Sequence, residues 1–227
     1  YRELFRGLGI RAEDIKSLTD LQALPILTKQ QVQEAPDRFL SDNMLASSRI
    51  TTHTSGTTGA GLRLATTLQA QQEQWAIWWR HWRRYGLSQG IWCGHFGGRP
   101  VVPRSQTRPP FWRYNWAGRQ ILFSGYHMSP ATIDAYVQEL HRLRPPWLHG
   151  YPSLLALLAN HLLESGLTLG YRPRWVTTGA ENLLPHQADA MEQAFGVRPR
   201  QHYGLAEAVA NFSECAHGML HVDEDFA

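Results

Sequence analysis

RWVTTGAENLLPHQADAMEQAFGVRPRQHYGLAE, residues Arg174 to Glu207, decides the fold. A short strand-like run, Arg174 to Thr177, breaks at a glycine-bearing turn, TTGAEN, and gives way to an apolar-periodic helical segment, Leu184 to Phe195. A second short strand, Arg200 to His202, follows and ends in another polar turn, YGLAE. Strand, helix and strand of these lengths predict a βαβ unit, and with it an α/β fold. Open α/β sheets bind ligands beyond the carboxyl ends of their strands. TTGAEN and YGLAE are therefore the first candidates for a site.

Working outward, the same alternation continues. Strands are expected at Ile91 to Phe96, Arg119 to Phe123, Trp147 to His149 and Gly218 to Val222. Helices are expected at Pro130 to Leu143, after Ser129, and at Leu154 to Glu164, with Ser153 near its cap. The fold class is thus α/β, with mixed or parallel sheets flanked by helices. GYPS, following the strand at Trp147, is a third strand-end turn. Between the first two strands runs GGRPVVPRSQTRPPFWR, too irregular for one element. Leu68 to Tyr85 reads as an amphipathic helix, because Trp75, Trp78, Trp79, Trp82 and Tyr85 recur at three- and four-residue spacing. An aromatic stripe at that period packs in a core. Residues 1–48 read as short helices joined by turns: Tyr1 to Leu8, Arg11 to Lys16, and a segment for which Thr28 is the N-cap.

The chain has 227 residues, 43% of them hydrophobic, enough for a sizeable core. A net charge of +3 gives no call for nucleic acid as a partner, and no apolar run approaches a membrane span. Cys93 and Cys215 are too few for a disulfide scaffold, which fits a reducing compartment, with the cytoplasm as default. The chain starts without Met and stops in a strand-like segment, HVDEDFA, so the expectation is a piece of a longer protein.

The other chemical signal is TTHTSGTTGAG, Thr51 to Gly61. Glycines let backbone approach a ligand, and clustered N–H and hydroxyl groups converge on phosphate oxygens. Gly56 to Gly61 matches the front of a Walker A loop, but Leu62 and Arg63 stand where that motif needs Lys and Ser/Thr.

Taken in order, TSGTTG, HGYPS, TTGAEN, HYGLAEA and EC followed by GMLHVDEDF resemble the adenylate-forming (acyl-CoA synthetase) superfamily. Within it they are most similar to the phenylacetate-CoA ligase group and its CapK-like relatives in capsular polysaccharide biosynthesis. The resemblance runs from about Thr51 to Ala227. It implies a helical lead-in over 1–50 and an AMP-binding (adenylation) core over 51–227, truncated before a C-terminal domain. It also implies the reaction: a carboxylate attacks the α-phosphorus of ATP to give an acyl-adenylate and pyrophosphate, and a thiol such as coenzyme A takes the acyl group. This fragment alone is expected to be inactive.

The resemblance assigns roles residue by residue. Ser55, Gly56 and Gly59, with Thr57 and Thr58 as catalytic hydroxyls, would hold the pyrophosphate side of ATP, although Ala60 stands where many family loops carry Lys. Glu207 would bind Mg2+, as suits a hard carboxylate, or else is simply an acid at a helix start. Tyr203 and Gly204 would pack against adenine, with Gly179, Ala180 and Glu181 lining the other side of the nucleotide. His149, Gly150, Tyr151 and Pro152 would begin the acyl pocket, with His95 a further candidate. A proline-started helix explains Pro152 equally well.

Cys215, His217 and His221 form C-x-H-x3-H, a candidate structural Zn2+ site with His202 as a possible neighbour, although its spacing is not that of a standard finger. A homodimer is the default assembly. Two readings compete with the ligase: a non-catalytic nucleotide-binding module or incomplete fragment, and a carbohydrate-related transferase suggested by the 9 tryptophans.

Overall fold

The computed structural model describes residues 2–54 and 61–225, in two compact units, Tyr1–Leu68 and Gln69–Ala227. In the first, α1 (Arg2–Leu8) and α2 (Lys29–Glu34) precede an antiparallel hairpin of β1 (Ile50–His53) and β2 (Arg63–Thr66). Thr28 caps α2 as expected: its hydroxyl accepts from Gln31 N at 3.3 Å, and its own N–H donates to Gln31 Oε1 at 2.8 Å. The helix expected over Arg11 to Lys16 is only a single tight turn, Ala12–Asp14. Carboxylates compete for the backbone there: Asp14 accepts from Arg11 N at 2.8 Å, and Asp20 from Lys16 N at 2.9 Å and Ser17 N at 2.7 Å.

The β1–β2 hairpin was not expected, and the Ser/Thr/Gly stretch lies between its two strands in sequence. Its neck is closed by Thr54 N–H to Leu62 O at 3.0 Å and Leu62 N–H to Thr54 Oγ1 at 2.7 Å. A Cβ on Gly61 would fall 2.1 Å from Thr54 O, so only glycine fits. Ser55, Gly56, Thr57, Thr58 and Gly59 lie outside the described residues.

The second unit comprises α3 (Leu68–Arg84), β3 (Cys93–Gly97), β4 (Trp112–Asn115), β5 (Gln120–Ser124), α4 (Ile133–Leu143), β6 (Trp147–Gly150), α5 (Pro152–Ser165), β7 (Trp175–Thr178), α6 (Pro185–Phe195), β8 (Arg200–Gly204), β9 (Asn211–Glu214) and β10 (Leu220–Val222). Its strands form one eight-stranded sheet in the order β10-β9-β8-β7-β6-β3-β5-β4. The five strands β5, β3, β6, β7 and β8 run parallel, while β4, β9 and β10 are antiparallel additions at the two sides. The chain leaves β3 for β5 on one side and returns to β6 on the other. β3 is therefore the topological switch.

Two of the antiparallel strands, β4 and β9, were not expected. Each is four residues long and lies in sequence dominated by turn residues. α4 starts later than expected because Ser129 and Thr132 tie off a turn ahead of it: Ser129 N–H donates to Thr132 Oγ1 at 3.1 Å, and their hydroxyls meet at 3.0 Å.

Side-chain alternation divides the sheet into two faces. Phe96, Ile121, Phe123, Leu148 and Val176 point to one face, where Tyr136 and Leu140 of α4, Leu155, Leu158 and Leu162 of α5, and Met191 and Phe195 of α6 complete the main core. Cys93, Trp147 and Trp175 point to the other, against Trp78, Trp79 and Trp82 of α3. The tryptophan stripe is thus largely core, as its period implied. Among the described residues no helix is long and apolar enough to cross a membrane.

Candidate active site

Parallel pairing brings the carboxyl ends of β5, β3, β6, β7 and β8 to one edge. Each strand reaches a glycine there or one residue beyond: Gly125, Gly97, Gly150, Gly179 and Gly204. All five permit close approaches that a side chain would meet within 3.0 Å. A Cβ on Gly150 would sit 2.3 Å from Phe96 O, and one on Gly179 would sit 2.7 Å from the His202 ring.

Strain marks the same edge. Ala180, in the turn after β7, has φ 68, and Ala208, in the turn after β8, has φ 55. Left-handed backbone costs a non-glycine residue about 1–2 kcal/mol, and such outliers cluster at functional sites. Between them lies Tyr203, 42% exposed, its ring edge-on to Phe212 at 5.4 Å. That contact orients the ring and leaves it open to a flat partner. Glu207 is exposed and makes no hydrogen bond or ion pair among the described residues, so its carboxylate is available to a hard cation. Glu181 is engaged otherwise: its Oε2 accepts from Ser153 N at 3.0 Å, at the start of α5. Pro152 occupies the first turn of that helix.

α3 supports this edge in a way the sequence did not reveal. Gln74 Nε2 donates to Leu205 O at 3.0 Å, inside the YGLAE turn, and Trp78 Nε1 donates to Asn211 Oδ1 at 3.2 Å. Arg80, from the same helix, pairs with Asp223 at 2.7 Å and with Asp225. Asp223 is buried and also accepts from Ser213 Oγ at 2.7 Å.

Beneath the glycine edge, on the α3 side, lies a row of imidazoles. His95 and His149 are cross-strand neighbours with ring centroids 5.3 Å apart. His149 and His202 stack at 6.1 Å, and His81 of α3 approaches His202 at 5.9 Å. Thr177 anchors the middle of the row, with its Oγ1 2.8 Å from His149 Nδ1 and accepting from Trp147 Nε1 at 2.8 Å. Burial pushes His81 down to about 3, aided by His202, Arg84 and Arg200. It pushes His202 down to about 4 against the pull of Asp223. Burial, then the Arg99 cation, takes His95 to about 4. His149 lies well below the ordinary imidazole value through burial and its histidine neighbours. All four rings are neutral at pH 7. Both nitrogens of His81 and the Nδ1 atoms of His95 and His202 are buried without a partner among the described residues. Each such atom costs about 1–3 kcal/mol.

Four imidazoles suggest a metal centre, but the geometry does not form one. Imidazole ligates through lone pairs in its ring plane, and the planes of His149 and His202 lie face to face, 12° apart. Among the described residues no three His, Cys, Asp or Glu side chains gather to hold an ion. The same holds at the candidate zinc cluster. Cys215 sits in the turn between β9 and β10, where the Met219 and His217 backbone and the His221 side chain lower its thiol pKa. His202, two strands from His221 in the same cross-strand row, faces the α3 core and does not join them.

No protein-family model matches the chain. Protein CapK of Staphylococcus aureus is 25% identical over 223 residues, covering 98% of this chain and 49% of its own length. Among solved structures, an open conformation of 2-hydroxyisobutyryl-CoA ligase, in complex with 2-HIB-AMP and CoA, superposes with TM-score 0.60 at 17% identity, over 94% of this chain and 48% of that one. The same ligase in its thioesterification state gives TM-score 0.59 at 18% identity, over 97% and 48%. The chain spans about half the length of these relatives.

Proposed function

We propose that the chain belongs to the adenylate-forming superfamily, on its likeness to Protein CapK and to the 2-hydroxyisobutyryl-CoA ligase structures, and that it is the nucleotide-binding core of an enzyme that activates a carboxylic acid with ATP and passes the acyl group to a thiol. The observation that carries this reading is the pair of strained turns after β7 and β8, in which Ala180 and Ala208 bracket an exposed Tyr203 and an unpaired Glu207. Tyr203 and Gly204 receive the adenine from one side, and the backbone of Gly179 and Ala180 from the other. Glu207 would hold Mg2+, which when bound neutralises phosphate charge. Glu181 acts indirectly, by fixing the start of α5 against the turn after β7.

Ser55, Gly56, Thr57, Thr58 and Gly59, from the TSGTTG motif, would supply hydroxyl and N–H donors to pyrophosphate in this reading. Such chemistry asks mainly for positioning and charge neutralisation. The 2-hydroxyisobutyryl-CoA ligase structures carry an acyl-AMP and CoA, which supports coenzyme A as the acceptor here. A phenylacetate-CoA ligase-like assignment, a core over 51–227 with a lead-in over 1–50, a cytoplasmic site of action and a homodimer belong to the same proposal and rest on the resemblance.

The test is pyrophosphate release by the full-length protein with ATP, Mg2+ and a panel of carboxylic acids. Release that depends on an added acid, and that is lost in Glu207→Gln with ATP binding and fold intact, is the expected result. Binding of ATP without pyrophosphate release from any acid would overturn it.

A further inference from the structure

The polarity of the α3-facing side of the sheet changes abruptly toward the carboxyl edge. One row carries Cys93, Trp147 and Trp175, all packed in the apolar cluster under α3. The next row, two residues nearer the edge, carries His95, His149 and Thr177, and His202 leans over Gly179 beside them. Beyond these lie the edge glycines and Tyr151, whose hydroxyl would be 2.7 Å from a Cβ on Gly98. Phenyl or aliphatic side chains would fill this layer without stranding polar atoms. Instead His95 Nδ1 and His202 Nδ1 are buried without a partner among the described residues, and His202 is only 8% exposed. Buried polar atoms in native proteins are nearly always paired. Several orphans beneath the glycine-bearing carboxyl edge, at the topological switch of the sheet, point to a ligand that pairs them.

We propose that the imidazole row of His95, His149 and His202 is the floor of the acyl site and selects a carboxylic acid that carries hydroxyl groups close to its carboxylate. The inference rests on the acid-activating reading above and names its substrate class. A neutral imidazole has one N–H and one lone pair, and so matches a hydroxyl, which also donates and accepts. A second carboxylate or a phosphate would find no cation in this row. An alkyl or aryl chain would leave the nitrogens unpaired. Sites built to hydrogen-bond a substrate hydroxyl reject the analogue that lacks it far more strongly than apolar pockets discriminate.

The experiment uses the full-length protein and three matched pairs: lactate and propionate, gluconate and hexanoate, mandelate and phenylacetate. Binding is measured by calorimetry with AMP present, and turnover by pyrophosphate release. The hydroxylated member of at least one pair is expected to exceed its partner by ~10-fold or more in affinity and in kcat/KM. His202→Phe should collapse that ratio, chiefly through the KM of the hydroxylated acid, while His202→Asn, which keeps a donor and an acceptor, should retain most of it. Should His202→Phe fail to fold by circular dichroism, the wild-type ratio and its retention in His202→Asn decide. Selective binding of the hydroxylated acid without pyrophosphate release would uphold the inference and overturn the ligase reading. Equal or better binding of the deoxy partners, or binding of none of the six acids, would overturn the inference.

Discussion

Lowering the pH from 7 to 5 should strip the protein of much of its stability, and the structure sets the amount. His81 and His202 are 1% and 8% exposed and titrate in the folded state at about 3 and about 4. In the unfolded chain each titrates near 6.5. The unfolded state therefore takes up protons below pH 6.5 while the folded state refuses them, so stability is full above that value and is lost as pH falls toward 4. For one such histidine the loss between pH 7 and 5 is about 1.9 kcal/mol. Because the folded values lie a unit or more below pH 5, the loss is governed almost wholly by the unfolded value. The two rings together give about 4 kcal/mol, against a typical domain stability of 5–15 kcal/mol. His95 and His149 act with the same sign. Glu139 and Asp225, whose pKa values are lowered by Arg142 and Arg80, lose their stabilisation as pH falls from the ordinary carboxylate values through their own lowered ones, below this window. With a urea m-value of about 2–3 kcal/mol/M, the midpoint should fall by about 1.5 M or more. Tryptophan fluorescence reports the transition, since Trp78 and Trp82 pack on these rings. His81→Phe should remove about one proton from the slope. A midpoint that stays flat between pH 7 and 5 would falsify the account of a neutral, buried row.

Further outcomes follow from single contacts. Ala180→Gly and Ala208→Gly relieve left-handed backbone and should each raise stability by about 1 kcal/mol, seen as a rise in Tm; a fall would mean that the strain is absent. Arg80→Ala leaves the buried Asp223 carboxylate with only Ser213 and should cost about 2 kcal/mol in urea unfolding, partly restored in Arg80→Lys. Gln74→Ala removes the bond to Leu205 O and should weaken ATP binding about 5-fold by calorimetry, with fold unchanged; unaltered affinity would detach α3 from the nucleotide turn.

What the sequence made legible follows from period and from turns. The parallel strands and the helices between them alternate at regular lengths, with glycine-bearing turns at the strand ends, and every one lies within a few residues of its expected place. β4, β9 and the β1–β2 hairpin escaped because four-residue strands beside Pro, Ser or Thr offer too few residues for a period. Motif order names the strand-end residues Tyr203 and Glu207 as candidates, and both are exposed at the carboxyl end of β8 or just beyond it. Glu181 was named from motif order as well, but its bond to Ser153 could not be read, because it spans two strand-end turns 28 residues apart. The imidazole row was invisible for the same reason. His81, His95, His149 and His202 come from four different elements, and only sheet register together with the packing of α3 brings them to one face.

That row also links stability to selectivity, and one substitution separates the two. His202→Phe keeps a ring against His149, removes the orphaned Nδ1 and cannot titrate. If the imidazole is retained for a ligand and not for the fold, the variant should be as stable as the parent at pH 7, because a buried unpaired polar atom has been deleted. At pH 5 it should be more stable by about 2 kcal/mol, because one proton-linked loss is gone. Its selectivity for a hydroxylated acid should fall at the same time. Residues kept for function commonly lower stability in this way. A variant less stable at both pH values, with selectivity unchanged, would instead make His202 an ordinary member of the core and return the orphaned nitrogens of the row to packing alone.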